Sequence, residues 1–245
     1  MNDVIVIASG KGGTGKSTVA VCLAAALVKH NNKVLLVDCD CGMRGLDILL
    51  DVKEDILFDC ADAVCGNCKA EEAVYQSKNL DNLYLMAAPF DTDNEISPQV
   101  FKQLISQVKE DFDYVIIDSP AGIGSGFATA CAGADMAMIV TNAEPTSVSG
   151  GIKVKKKLQA MNIKEIRLVI NRFDKEQFFE MNIYQDLDAV IDEIGAQLIA
   201  LVPLDKRISS ITQQGNVGIN WSPAVTVFDC LAKRVMGQNI DLAYS

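Results

Sequence analysis

The sequence predicts a doubly wound α/β fold, a mostly parallel β-sheet flanked by helices on both faces. Three observations predict it. Short apolar runs alternate with helix-like segments along the chain, the pattern of parallel strands joined by helical crossovers. The first run, Val4-Ile5-Val6-Ile7-Ala8, leads into a glycine-rich loop and then a helical stretch. Two later runs, Lys33 to Asp38 and Asp113 to Asp118, end in an acid, and open α/β sheets bind ligands at the carboxyl ends of their strands.

Composition sets the outer limits. The 245 residues suit a single domain, residues 1–245, and 49% hydrophobic against 22% charged residues supplies a core and excludes disorder. A formal net charge of −10 argues against wholesale nucleic-acid binding. No apolar run approaches the roughly 18 residues of a membrane-spanning helix, and the chain enters its first strand without a secretory leader. The eight cysteines are therefore expected as free thiols in a reducing cytoplasm.

Taken in order, the first strand ends at Gly10 to Thr18, which reads Gly-Lys-Gly-Gly-Thr-Gly-Lys-Ser-Thr. Gly10, Gly15, Lys16 and Ser17 fill the phosphate-loop pattern G-x-x-x-x-G-K-S/T. In such a loop the backbone N–H groups of Gly12, Gly13, Thr14, Gly15 and Thr18 face an anion, and the following helix, Ser17 to His30, adds positive potential from its N-terminus. Lys16 would reach the β- and γ-phosphates, and the Ser17 hydroxyl would coordinate Mg²⁺. After the turn at Asn31-Asn32, Lys33 to Asp38 is a second buried strand, followed by Cys39 and Asp40. Asp38 and Asp40 share one face of an extended chain. They are placed to hold Mg²⁺ through water or to orient an attacking water.

Glu54 to Ser77 reads as helical pieces broken near Gly66-Asn67. Cys65 and Cys68 within it form a Cys-x-x-Cys pair with no second pair at matching spacing. Ordinary thiols are the favoured reading, with a redox pair or a metal shared across a dimer as alternatives. Asn82 to Ala88 is a third strand, and Ser97-Pro98 marks a helix start. Phe101, Leu104, Ile105 and Val108 then recur at helical spacing on a core-facing stripe. Asp113 to Asp118 is a strand whose terminal acid, Asp118, would sit beside the metal as in a Walker B element. Ser119-Pro120-Ala121-Gly122 follows, and a glycine there can flex or donate its N–H to a γ-phosphate. Ala134 to Thr141 is the next strand, leading to a helix capped by Thr146 or Ser147. That helix carries Lys153, Lys155, Lys156 and Lys157. A solvated face is the favoured reading of these lysines, and a partner- or anion-facing patch the other. Ile166 to Ile170 and Leu198 to Val202 are the last strands, and Val225 to Met236 is a final amphipathic helix.

Lys11 lies five residues before Lys16 and is not required by an ordinary phosphate loop. With it, the sequence resembles the deviant-Walker, MinD/ParA family of P-loop ATPases. The resemblance covers nearly the whole chain. It rests on the phosphate loop, the stretch from Asp38 to Asp47, Asp118-Ser119-Pro120-Ala121-Gly122 and Val202-Pro203-Leu204-Asp205. It implies ATP and Mg²⁺ as ligands. By the same resemblance Lys11 crosses a dimer to the partner's nucleotide, Asp38 supports Mg²⁺ and Asp40 positions the hydrolytic water. Gly42, Arg44, Pro120 and Gly122 would belong to two switch segments. Asn171 and Arg172 would face the purine, with Pro203 and Asp205 flanking it.

The implied function is an ATP-dependent dimerisation switch, with slow, partner-stimulated hydrolysis, that regulates division-site placement. A division inhibitor and an ATPase activator are the implied protein partners. A flagellar-number or polar-positioning ATPase of the same class is the alternative. A metallocluster reductase or metal-insertion factor of the iron-protein type is a further one, kept open by Cys39, Cys41, Cys65, Cys68 and Cys131. The members of the family that this sequence most resembles carry a basic amphipathic C-terminal helix that enters the membrane surface. The last nine residues here contain one Asp and no Lys or Arg, so direct membrane binding is not expected. A cytoplasmic location is, with membrane attachment through a partner. Nucleic acid is not expected as a partner.

Overall fold

The computed structural model describes residues 3–41, 45–89, 96–208 and 223–242. One eight-stranded sheet organises them, in the order β3-β4-β2-β5-β1-β6-β7-β8. The strands are β1 Asp3–Ala8, β2 Val34–Asp38, β3 Val74–Gln76, β4 Leu83–Met86, β5 Tyr114–Asp118, β6 Met136–Thr141, β7 Glu165–Phe173 and β8 Gln197–Pro203. All neighbouring pairs run parallel except β3 with β4. The expected doubly wound, mostly parallel sheet is therefore present.

The strands read as unbroken apolar runs because both faces are covered. Side chains alternate across the sheet. Ile5, Ile7, Val34, Leu36, Ile116, Met138 and Val140 enter one core with α1 (Lys16–Lys29). Val4, Val6, Ala8, Leu35, Val37, Val115, Ile117 and Ile139 enter the other. The helices after α1 are α2 Leu46–Leu49, α3 Cys60–Cys65, α4 Pro98–Val108, α5 Ser125–Ala130, α6 Pro145–Ala160, α7 Lys175–Met181, α8 Leu187–Ile194 and α9 Pro223–Val235. Helix α1 is sandwiched between the sheet and α9, which explains its run of small buried residues, Ala20, Ala24, Ala25 and Ala26. Helix α4 begins as expected: the Ser97 hydroxyl accepts from the Val100 N–H, with Pro98 in the first turn.

Several readings change. Residues 74–76 form an antiparallel edge strand within the stretch read as helical, its conformation set by pairing with β4. Helix α6 starts at Pro145 with Glu144 preceding it and no side-chain cap, so Thr146 and Ser147 lie inside its first turn. Pro145 takes the first helical position because its missing N–H costs nothing there. Strand β7 runs on to Phe173, carrying Asn171 and Arg172 within it. Among the described residues, no helix is long and apolar enough to cross a membrane.

Candidate nucleotide-binding site

Strand β1 lies between β5 and β6, where the winding of the sheet reverses direction, the position at which such sheets form their ligand crevice. The loop leaving β1 turns through Gly13 at φ 81° and Gly15 at φ 91°, conformations that side chains strongly disfavour. Gly15 immediately precedes α1, and no side chain caps that helix. The first-turn N–H groups are thus left for an external anion. Two neighbours brace the loop. The Asn171 amide donates to the Thr14 carbonyl at 2.8 Å, and the Arg172 guanidinium donates to the Gly13 carbonyl at 2.9 Å. Asn142, at the end of β6, in turn donates to the Asn171 carbonyl.

The charged groups converge beneath this loop. Asp38 and Asp118 end adjacent strands in direct register, and both are almost fully buried. Lys16 is 7% exposed, and its Nζ lies 3.7 Å from Asp118 Oδ1. Burial pushes the Asp38 carboxyl up to about 7; Asp118, Asp40 and Asp47 push the same way, and the hydrogen bond from the Asp40 N–H opposes them. Burial also raises Asp118, with Asp40 adding to the rise and Lys16 and the Ser17 hydroxyl opposing it. Asp118 Oδ1 and Thr14 Oγ1 are buried without a hydrogen bond in the described structure. Two crowded carboxylates with a buried lysine beside them, an orphaned hydroxyl and an uncapped helix start make a donor set that fits a polyphosphate with Mg²⁺.

The remaining residues surround this centre. Asp40 is half-buried just beyond β2. Ser17 and Thr18 lie in the first turn of α1. Lys11 is exposed and bent toward α6, where its Nζ donates to Thr146 Oγ1 at 3.0 Å and lies 3.6 Å from Glu144 Oε2. Gly12 stands open, with no heavy atom where a side chain would begin. Pro120 packs against Gly126. The Gly122 N–H is used within the chain, donating to the Ser9 carbonyl at 2.9 Å. Pro203 ends β8 beside Phe173, and the Asp205 carboxylate accepts from the Arg207 N–H. Gly42 and Arg44 lie outside the described residues. Sequence reasoning assigned nothing to Glu144 or to Asn142 as anchors, and it treated Thr146 as a cap. Their roles come from contacts with Lys11 and Asn171, residues distant in the sequence. All eight cysteines are free thiols. Cys65 and Cys68, exposed and half-buried, stand away from the phosphate loop on α3 and the turn after it.

A glycine loop at the sheet's reversal point, a buried lysine and two strand-end carboxylates define a P-loop nucleotide-binding protein. Comparison with known proteins agrees. Residues 2–172 match the family model described as "AAA domain". The septum site-determining protein MinD of Synechocystis sp. is 36% identical, covering 98% of this chain and 91% of that one. The structure of the MinC:MinD cell division protein complex from Aquifex aeolicus matches with a TM-score of 0.89 and 31% identity, covering 99% of each chain. MinD complexed with Mg-ADP from Pyrococcus horikoshii matches with a TM-score of 0.85 and 29% identity, covering 96% of each chain. The chain belongs to the MinD/ParA family of P-loop ATPases.

Proposed function

We propose that this protein is a Mg²⁺-dependent ATPase that works as a dimerisation switch in the placement of the division site. The observation that carries the reading is the meeting of Lys16, Asp38 and Asp118 under an uncapped phosphate loop, with the signature lysine Lys11 on its outer rim. The relatives are septum site-determining proteins, one solved with a division-protein partner and one with Mg-ADP. A protein partner of the division-inhibitor kind is part of the same reading.

The roles follow from placement. Loop N–H groups and Lys16 hold the phosphates, so the transferred group is fixed in line for attack. Ser17, Asp38 and Asp118 would hold Mg²⁺, which supplies charge neutralisation on the phosphate oxygens. Asp40, at the edge of the crevice, orients the attacking water and accepts its proton. Lys11 exchanges its contacts with Thr146 and Glu144 for the nucleotide of a second subunit, offsetting the negative charge brought to the interface. Hydrolysis removes the γ-phosphate that holds the subunits together. Little covalent chemistry is asked of the side chains, so turnover is slow and stimulated by a partner. Asn171 and Arg172 brace the loop and face the base, and Pro203 and Asp205 flank it. Membrane attachment, in this reading, comes through a partner.

The test is the Asp40→Ala protein on size-exclusion chromatography with light scattering. It should be a monomer with ADP and a stable dimer with ATP and Mg²⁺. The same mass in both nucleotide states would overturn the switch. Lys16→Ala, run in parallel with a fluorescent ATP analogue, should lose nucleotide binding.

A further inference from the structure

The second half of α6 carries chemistry that the nucleotide site does not use. Lys153, Lys156 and Lys157 stand exposed at the three- and four-residue spacings that share one helix face. Lys155 turns toward the end of α8, where its ammonium donates to the Gly195 carbonyl. Lys164 is exposed just before β7, and Arg167 lies near the start of that strand. Lys155, Gln159, Asn162, Lys164, Arg167 and Gln197 line an open cleft of about 500 Å³. Across Asn162 and Ile163, Lys102 and Lys109 line a second groove. The acids on adjoining elements are Glu165, engaged by Arg167 at 2.9 Å, Asp188, Asp192 and Glu193 on α8, and Asp135 in the second groove, whose carboxylate accepts from the Val4 N–H. Among the described residues Lys153, Lys156, Lys157 and Lys164 form no ion pair.

We propose that this cleft and lysine face form a docking surface for an acidic segment of a partner protein. The local charge is positive on a chain whose net charge is −10. Screening limits what a ligand senses to about 8 Å at physiological salt. A short acidic segment fits inside that range and meets the cations. A DNA duplex extends well beyond it and meets the acidic remainder of the surface. A membrane surface calls for apolar side chains beside the cations, and the exposed large apolar residues, Phe179, Met181 and Leu57 among them, lie on other elements. Gln159 and Asn162 add amide donors for carboxylates. Helix α6 spans 16 residues, about 24 Å, from the carboxyl end of β6 back along the sheet. The lysine face begins one turn past Gly150, whose backbone abuts Gly10 of the phosphate loop, and runs from there away from the nucleotide site.

The experiment is fluorescence anisotropy with a short labelled glutamate-rich peptide, using the full chain with ADP and with ATP. Binding should weaken as salt rises. The K153E/K156E/K157E variant should lose about tenfold or more in affinity, the sum expected of three surface ion pairs. The K29E/K53E/K69E variant, with the same change in net charge elsewhere, should stay within about twofold, since distant charges are screened. A parallel K153Q/K156Q/K157Q variant should show the same direction of change without charge reversal, and unchanged ATP-analogue binding would show that the variants are folded. The proposal fails if the wild-type protein does not bind the peptide or if both triple reversals weaken binding equally. It also fails if the lysine face instead retains a DNA duplex or anionic vesicles.

Discussion

Asp38 carries a carboxyl group buried beside other carboxyl groups. It ends a buried strand, faces Asp118 on the next strand, and its carboxyl is pushed up to about 7, chiefly by burial. In the unfolded chain such a group titrates near 4. Between those values the folded protein holds a proton that the unfolded chain has lost. The resulting stability is present below the unfolded value and is lost as pH rises toward 7, by about 1.4 kcal/mol per pH unit from this group. The nucleotide-free protein should therefore melt at lower temperature at pH 7.5 than at pH 5.5. Asp38→Asn should remove most of that slope, and should also relieve Asp118, whose carboxyl is raised in the same crevice. Differential scanning calorimetry across this range checks it. An unchanged slope in the variant would show that another group controls the pH dependence.

At the scale of elements, the phosphate loop is locked to α6 by the approach of two backbones. A side chain on Gly10 would place its Cβ 2.3 Å from the Gly150 carbonyl carbon and oxygen, whereas one on Gly150 would lie 3.1 Å from the Gly10 backbone. The two sides of one contact thus differ. Gly10→Ala must move α6 or the loop, at a cost of about 1–3 kcal/mol for forced repacking, with ATP affinity falling as the loop shifts. Gly150→Ala needs a displacement of a few tenths of an ångström, and it gains up to about 1 kcal/mol in helix propensity. Chemical denaturation should rank Gly10→Ala well below the wild type and Gly150→Ala close to it; equal losses would contradict the contact. Such couplings mark the limit of sequence reading. The strands β1, β2 and β5, the phosphate loop and α4 were legible because continuous apolar runs, glycine spacing and the Ser97-Pro98 cap are local signals. Strand β3 was not, because its three residues are strand only by pairing with β4. Helices α7 and α8 carried readable caps in Asp174 and Asp186, which the reading did not use. The grip of Asn171 and Arg172 on the loop joins segments more than 150 residues apart and leaves no local pattern.

For the whole molecule, the question is what Lys11 contributes to the isolated chain and what it contributes to an assembly. Its side chain is 48% exposed, and Glu144, its acidic neighbour, is 55% exposed. An exposed pair of this kind contributes about 0–1 kcal/mol, so the fold does not depend on it. Lys16, nearly buried beside Asp118, already supplies the cation that an ordinary phosphate loop needs. If Lys11 acts across a subunit boundary, its removal should separate binding from assembly. Lys11→Ala should melt within about 4 °C of the wild type, the most expected for so small a change in a chain of this size. It should bind an ATP analogue within about twofold of the wild type, by the same reasoning. Combined with Asp40→Ala, it should remain monomeric under ATP conditions in which Asp40→Ala alone dimerises. Two cation-deficient sites would then face each other across the interface, and the like charges of two bound nucleotides would oppose its closure. Light scattering and nucleotide titration on the same samples distinguish the outcomes. A double variant that dimerises fully with ATP would place Lys11 in its own subunit's site alone, where its contacts with Thr146 and Glu144 already hold it.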